Sequence, residues 1–324
     1  MRVVDAETVH ALLDYPSLVE ALRDTFRRGV DRFDRMGFSQ PRKEGGQNDW
    51  LVLPAWQFDR HFGAKLVSVF PGNEARGLAS ILGIYVLFDG STGAPLAAID
   101  GAALTVRKTA ANSALAATYL ARADSSSLLM VGAGALAPHL IQAHAAVRPI
   151  RRVRLWNRTL ERARAQVDAL RALPATAALE IAVTEDLENA VRTSDVISCA
   201  TMTITPLVRG AWLSPGTHLD LVGAYRPEMR ETDDDAIRRA RIFVDARFTA
   251  AAETGDIRQP LEAGLIDDSA ITDTFQLARG ERPGRQSDAE ITLFKSGGGG
   301  HEDLGTAQHL LARLDAAAGA TTPA

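Results

Sequence analysis

The run Val131-Gly132-Ala133-Gly134-Ala135-Leu136-Ala137 sets two glycines and an alanine at the spacing Gly-x-Gly-x-x-Ala. It follows Ser127-Leu128-Leu129-Met130-Val131, which reads as a buried strand, and opens a helical pattern over 135–147 in which Pro138 falls in the first turn. Glycines there permit a tight turn and let a pyrophosphate approach the backbone, while the helix start aims N–H groups at its charge. A bare βα turn uses the same glycines. The strand before, the helix after and a second strand at 153–156 favour a dinucleotide.

The end of that second strand bears on which dinucleotide. Asp or Glu at this point bonds the ribose 2′-hydroxyl of NAD. This chain has Trp156-Asn157-Arg158-Thr159 instead. Asn157 does not repel a 2′-phosphate, Arg158 pairs with one and stacks on adenine, and Thr159 caps the next helix. NADPH is therefore the expected cofactor, with NADH as the alternative. The competing reading of Arg158 is a solvated surface arginine.

Three cations upstream invite a second chemistry. Lys65 interrupts Ala64-x-Leu66-Val67-Ser68-Val69-Phe70, a strand apolar on both faces, so it must be paired or reach solvent. Arg42 follows Pro41 in a polar loop. Lys108 reads as lying in the first turn of a helix over 105–122 with Thr105 as N-cap, where the macrodipole disfavours a cation. Singly each has a structural reading; jointly they describe a pocket for a carboxylate. The seven histidines (10, 61, 139, 144, 218, 301, 309) show no metal-ligand spacing, and no Ser-His-Asp arrangement is evident, so no metal is expected. Cys199, the one cysteine, excludes an internal disulfide framework. It reads as a small buried hydrophobe, with a reactive thiol the alternative.

The elements that must position these groups fall into two textures within 324 residues, a length that suits two domains. A helix over 15–30, opened by Pro16 and Ser17 and closed by Gly29, precedes β-rich runs at 50–53, 64–70 and 83–88, an antiparallel or mixed sheet. From Ser126 onward, strands at 127–131, 153–156, 195–199, 218–222 and 241–245 alternate with helices, which predicts a doubly wound parallel sheet. A helix over 303–318 and a disordered tail at 321–324 close the chain. The net charge of −4 argues against a nucleic-acid binder. No signal-type segment and no apolar run of membrane length are evident, so a cytoplasmic protein without membrane partners is expected.

At these residues the chain resembles the ornithine cyclodeaminase/μ-crystallin family over nearly its whole length. Gly63-Ala64-Lys65-Leu66-Val67 with Pro71-Gly72-Asn73, Val86-Leu87-Phe88-Asp89 with Thr92-Gly93, and Leu104-Thr105 with Thr109-Ala110-Ala111 carry the likeness. So do Val131 to Ala135, and Phe294-Lys295-Ser296-Gly297 with Glu302-Asp303-Leu304. The resemblance implies an α/β homodimer: a Rossmann domain at 113–296 and a smaller α+β substrate and dimerisation domain at 1–112 with 297–324. It implies that Arg42 and Lys65 hold a substrate carboxylate beside Gly297. By the same resemblance Ser80, Lys108 and Ser296 lie by the cofactor, whose expected contacts also include Gly132, Gly134, Ala135, Leu136, Asn157, Arg158, Thr159, Thr201 and Val222. Glu253 falls where μ-crystallin-like members place an acidic residue near the ligand, and its expected role is to supply or stabilise a proton.

Two positions depart from the pattern. Tyr225, in Gly223-Ala224-Tyr225-Arg226-Pro227, stands where cyclodeaminases and their alanine dehydrogenase relatives carry a catalytic Asp, so ring closure by that carboxylate is excluded. Lys108 stands where the family usually has Arg, a point charge in place of a fork. Residues 143–150, 218–231 and 291–296 look most like the Δ1-pyrroline-2-carboxylate reductase branch. That branch makes L-proline, often makes L-pipecolate from the six-membered homologue, and in bacteria commonly serves 3-hydroxyproline breakdown. The expected function is NAD(P)H-dependent reduction of a cyclic imino acid. Amination of a 2-oxo acid, reduction of open-chain imines and a non-catalytic ligand-binding role are the alternatives.

Overall fold

The computed structural model describes residues 1–31, 33–43 and 45–320; the tail at 321–324 lies outside them. The chain divides into two compact units, Met1–Lys108 with Gly299–Ala324, and Thr109–Gly298.

The first unit carries strands β1 (Arg2–Val4), β2 (Met36–Pro41), β3 (Gln47–Gln57), β4 (His61–Val69), β5 (Ile81–Asp89) and β6 (Pro95–Asp100), with helices α1 (Ala6–Leu12) and α2 (Tyr15–Arg28). Helix α3 (Gly101–Leu120) follows β6. The strands form one sheet in the order β1-β6-β5-β4-β3-β2, antiparallel except for the β1–β6 pair. The mixed sheet matches the expectation, though β2 runs through residues read as a polar loop. Leu53, Lys65, Tyr85 and Ile99 stand in register across the sheet and share a face. The last helix of the chain, Gly300–Ala320, packs across β3, β4 and β5 and against α2.

Helix α2 starts at Tyr15 with Pro16 in its first turn, as the sequence reading has it, and Asp14 caps it, its carboxylate accepting from Ser17 N–H at 2.9 Å. The start of α3 differs from that reading. Helix α3 begins at Gly101, with Asp100 accepting from Ala103 N–H at 2.8 Å. Thr105 is not its cap; its hydroxyl donates back to the Gly101 carbonyl at 2.7 Å. Lys108 therefore lies in the second turn, and the macrodipole argument for it falls away.

The second unit is a doubly wound parallel sheet, as the alternation predicts. Its elements are β7 (Ser127–Val131), α4 (Ala137–Val147), β8 (Arg152–Trp156), α5 (Leu160–Arg171), β9 (Glu180–Val183), α6 (Leu187–Arg192), β10 (Val196–Cys199) and β11 (His218–Leu221). They continue through α7 (Asp234–Arg239), β12 (Arg241–Val244), α8 (Gly255–Glu262), β13 (Thr272–Asp273), α9 (Thr274–Arg279) and β14 (Thr292–Lys295); the last helix is α10. The order is β13-β12-β14-β11-β10-β7-β8-β9, so winding reverses between β7 and β10. Ligands bind beyond the carboxyl ends of strands at such a reversal. Strand β14, which the sequence reading did not place, lies between β11 and β12. The apolar strand centres (Leu129, Val131, Ile197, Cys199, Leu219, Leu221, Leu293) form the core of this unit.

Candidate active site

At the winding reversal, Gly132 turns the chain out of β7 with φ 110°, and an added Cβ would stand 2.7 Å from the Ala200 carbonyl oxygen. Only glycine fits there. At Gly134 the space is open, with nothing within 4 Å of an added Cβ. A groove of roughly 330 Å³ opens beside both, lined among others by Asn157, Arg158, Thr159 and Thr201.

The Asn157 carboxamide accepts from Ala133 N–H at 3.2 Å and donates to the Thr159 carbonyl at 2.8 Å. It thus ties the glycine turn to the end of β8. Arg158 is exposed at the rim. The structure brings Gly132, Gly134, Asn157, Arg158, Thr159 and Thr201 to one groove; Ala135 and Leu136 continue the turn beyond it. Val222, whose N–H donates to the Cys199 carbonyl at 2.8 Å, follows β11. Ser296 follows β14 and donates its N–H to the Leu221 carbonyl at 3.0 Å. Gly297 and Gly298 spend their N–H groups on the Asp245 carboxylate, at 2.9 and 2.6 Å.

A buried ionic network, which sequence reasoning missed, lies behind this edge. Glu231 accepts from Thr201 N–H, the Thr201 hydroxyl and Gly223 N–H, each at 2.7 Å. Its own N–H donates to Asp256 at 2.8 Å, and Asp256 stands 3.1 Å from Lys295 Nζ. All three charged side chains are buried. Burial pushes the Glu231 carboxyl above the ordinary range, against the pull of Lys295. Cys199 nearby is likewise pushed far up by burial, which leaves its thiol protonated at neutral pH and fits the small-hydrophobe reading.

In the first unit, Lys65 reaches from the centre of β4 to Asp303 on α10, with Nζ at 3.1 and 3.0 Å from the two carboxylate oxygens and 3.4 Å from the Thr105 hydroxyl. The next residue back on α10, Glu302, takes Lys108 at 2.6 Å. Two adjacent carboxylates thus neutralise two buried lysines. Burial lowers the Lys65 pKa, Asp303 opposes that and Lys108 adds to it. The Tyr85 hydroxyl, buried on the same sheet face, has no hydrogen-bond partner among the described residues. Arg42 sits at the β2–β3 hairpin tip, its guanidinium against Gly72. Ser80 lies just before β5 and accepts from Phe70 N–H at 2.7 Å through its carbonyl.

Elsewhere in the second unit, Glu253 is half-buried immediately before the start of α8, and Tyr225 is exposed with Arg226 stacked 5.3 Å from its ring centre. Tyr225 thus presents a phenol from a surface loop.

Comparison with known proteins agrees with this geometry. A Δ1-pyrroline-2-carboxylate reductase from Paracoccus denitrificans is 42% identical over 258 residues, covering 79% of this chain and 80% of that protein. The solved Δ1-pyrroline-2-carboxylate reductase of Thermococcus litoralis, in complex with NADH and L-proline, superposes with a TM-score of 0.89 at 29% identity, over 98% of each chain. An archaeal alanine dehydrogenase, a dimer with bound NAD, gives 0.87 at 26% identity over 98% of this chain and 97% of that one. The ornithine cyclodeaminase/mu-crystallin family model matches residues 2–317, and the chain belongs to that family.

Proposed function

We propose that the protein uses NAD(P)H to reduce cyclic imino acids, Δ1-pyrroline-2-carboxylate to L-proline and the six-membered homologue to L-pipecolate. The observation that carries this reading is Tyr225: with no carboxylate base at that position, hydride delivery to a C=N bond is the chemistry left to the nucleotide groove. The 42% identical reductase supports the substrate class.

The groove fits a dinucleotide, since Gly134 leaves open space where the pyrophosphate must approach and Asn157 orders the turn. A bound nicotinamide supplies the hydride. The chain's own residues do the rest: Arg42 and Lys65 hold the substrate carboxylate, Lys108 supports them, and Glu253 stabilises or supplies the proton on nitrogen. The substrate iminium is already electrophilic, so positioning dominates. Asn157 and Arg158 favour NADPH over NADH. Supply of the imine by a dehydratase, as in 3-hydroxyproline breakdown, suits this chemistry.

The outer face of the six-stranded sheet supports a homodimer. Phe38, Trp50, Leu82 and Ile84 are exposed on it, beside the stacked rings of Trp56, Phe62 and Phe88. Such a contiguous apolar face marks an interface. No helix among the described residues is long and apolar enough to cross a membrane; a cytoplasmic homodimer is the reading we adopt.

The test is to follow NADPH absorbance with Δ1-pyrroline-2-carboxylate, then with NADH and with the six-membered imine. Oxidation with the imines, and none with pyruvate and ammonia, is expected. Brisk deamination of ornithine, or no turnover of either imine, overturns the reading.

A further inference from the structure

We propose that Glu231 is a positioning residue for the nucleotide groove: its buried carboxylate fixes the side-chain orientation of Thr201 and the backbone of Gly223, and so sets the wall that faces the Gly132 turn. The inference deepens the proposed cofactor site and rests on it.

A carboxylate that is only 1% exposed is costly unless its oxygens are satisfied. Glu231 meets that cost with three donors, all on the two segments that follow β10 and β11. These segments touch: a Cβ on Gly223 would stand 2.0 Å from Thr201 N. Thr201 has one hydroxyl and one methyl. With the hydroxyl given to Glu231, the Thr201 methyl carbon stands 3.2 Å from the position of a Gly132 Cβ. The methyl therefore forms the wall against the first glycine of the turn. Without the carboxylate acceptor the Thr201 rotamer is free to turn, and its hydroxyl can take the place of the methyl beside Gly132.

Glu231 is itself held. Its N–H bonds Asp256, at the start of α8, and Asp256 pairs with Lys295 at the end of β14. The network thus joins the carboxyl ends of three neighbouring strands, β10, β11 and β14. Among these residues Thr201 lines the groove. Glu231 is not among the residues that line it and acts through Thr201.

The experiment is fluorescence titration of NADPH onto the full-length protein and its Glu231→Gln variant, with steady-state kinetics alongside. Loss of the paired acceptor geometry is expected to weaken NADPH binding about tenfold. The KM for NADPH should rise in step while the KM for the imine stays within about twofold, a split that general destabilisation does not produce. An unchanged NADPH Kd in a cooperatively folding Glu231→Gln protein overturns the inference and leaves the cofactor site standing; a wild-type protein that binds neither NADPH nor NADH overturns both. If Glu231→Gln does not fold, Thr201→Val and Thr201→Ser decide. Valine loses the hydroxyl that Glu231 holds and serine loses the methyl that forms the wall, so both should weaken NADPH relative to the wild type. Wild-type affinity in the valine variant sinks the idea.

Discussion

Lys65 and Asp303 lie 238 positions apart in the chain, and their charged groups meet at 3.0 Å beneath the centre of the six-stranded sheet. Both side chains are buried, so each makes the other tolerable. Asp303→Ala leaves a buried ammonium without its counter-ion and is expected to cost about 3–5 kcal/mol of stability. Urea denaturation measures it. Lys65→Met combined with Asp303→Leu should lose much less than the single variant, because both charges leave together. A single variant as stable as wild type would mean that Lys65 draws its compensation elsewhere.

The two glycines of the nucleotide turn should separate folding from binding. Gly132→Ala forces a side chain into a left-handed backbone and against the Ala200 carbonyl, and is expected to cost about 1–3 kcal/mol. Gly134→Ala meets nothing in the protein, so its stability should change by less than about 0.5 kcal/mol. Its methyl nonetheless occupies the approach of a pyrophosphate, and NADPH affinity should fall about tenfold or more. Thermal unfolding and NADPH titration on the same samples check both halves.

Arg158 is exposed at the rim of the groove, free of the packing that would make its removal destabilising. On the proposed NADPH preference, Arg158→Ala should raise the KM for NADPH about tenfold and that for NADH less than about twofold. Equal effects on both cofactors would return Arg158 to the role of a solvated surface residue.

His218 predicts part of the acid sensitivity. It is fully buried in β11, with Nδ1 at 3.0 Å from the Thr292 hydroxyl, and burial lowers its pKa from 6.5 to about 3. Below pH 6.5 the unfolded chain takes up a proton that the folded protein refuses until about pH 3. Stability present above pH 6.5 is therefore lost progressively as the pH falls through that window, by at most about 1.4 kcal/mol per pH unit. His218→Asn, which keeps a partner for Thr292, should flatten the fall in melting temperature between pH 6.5 and 4.5. An identical slope in both proteins would assign the acid limb to other groups, such as Asp220, whose pKa is lowered in the fold despite its burial, chiefly through the bond from His144.

The apolar outer face of the first unit makes its own prediction. Leu82→Glu with Ile84→Glu places charge in the middle of that face while touching neither the groove nor Lys65. Light scattering after size exclusion should show a dimer for the wild type and a monomer for the variant. A monomeric wild type would withdraw the dimer.

What the linear chain determined was whatever depends on near neighbours. The Gly-x-Gly turn was legible because its three requirements, a strand, two glycines and a helix, lie within about twenty residues. The alternation of the central strands and the winding of the second unit were legible for the same reason. Helix starts were less so, since Thr105 and Asp100 are both competent caps and only packing chose between them. Tertiary structure alone decided the ionic partners. Lys65 announced itself as a charge that needed compensation, but Asp303 and Glu302 sit on a helix from the far end of the chain, and Glu231 reaches Thr201 from 30 residues away. A charge in an apolar run tells that it must be neutralised; which carboxylate does so depends on how remote elements pack, and that is not written in the spacing of the residues around it.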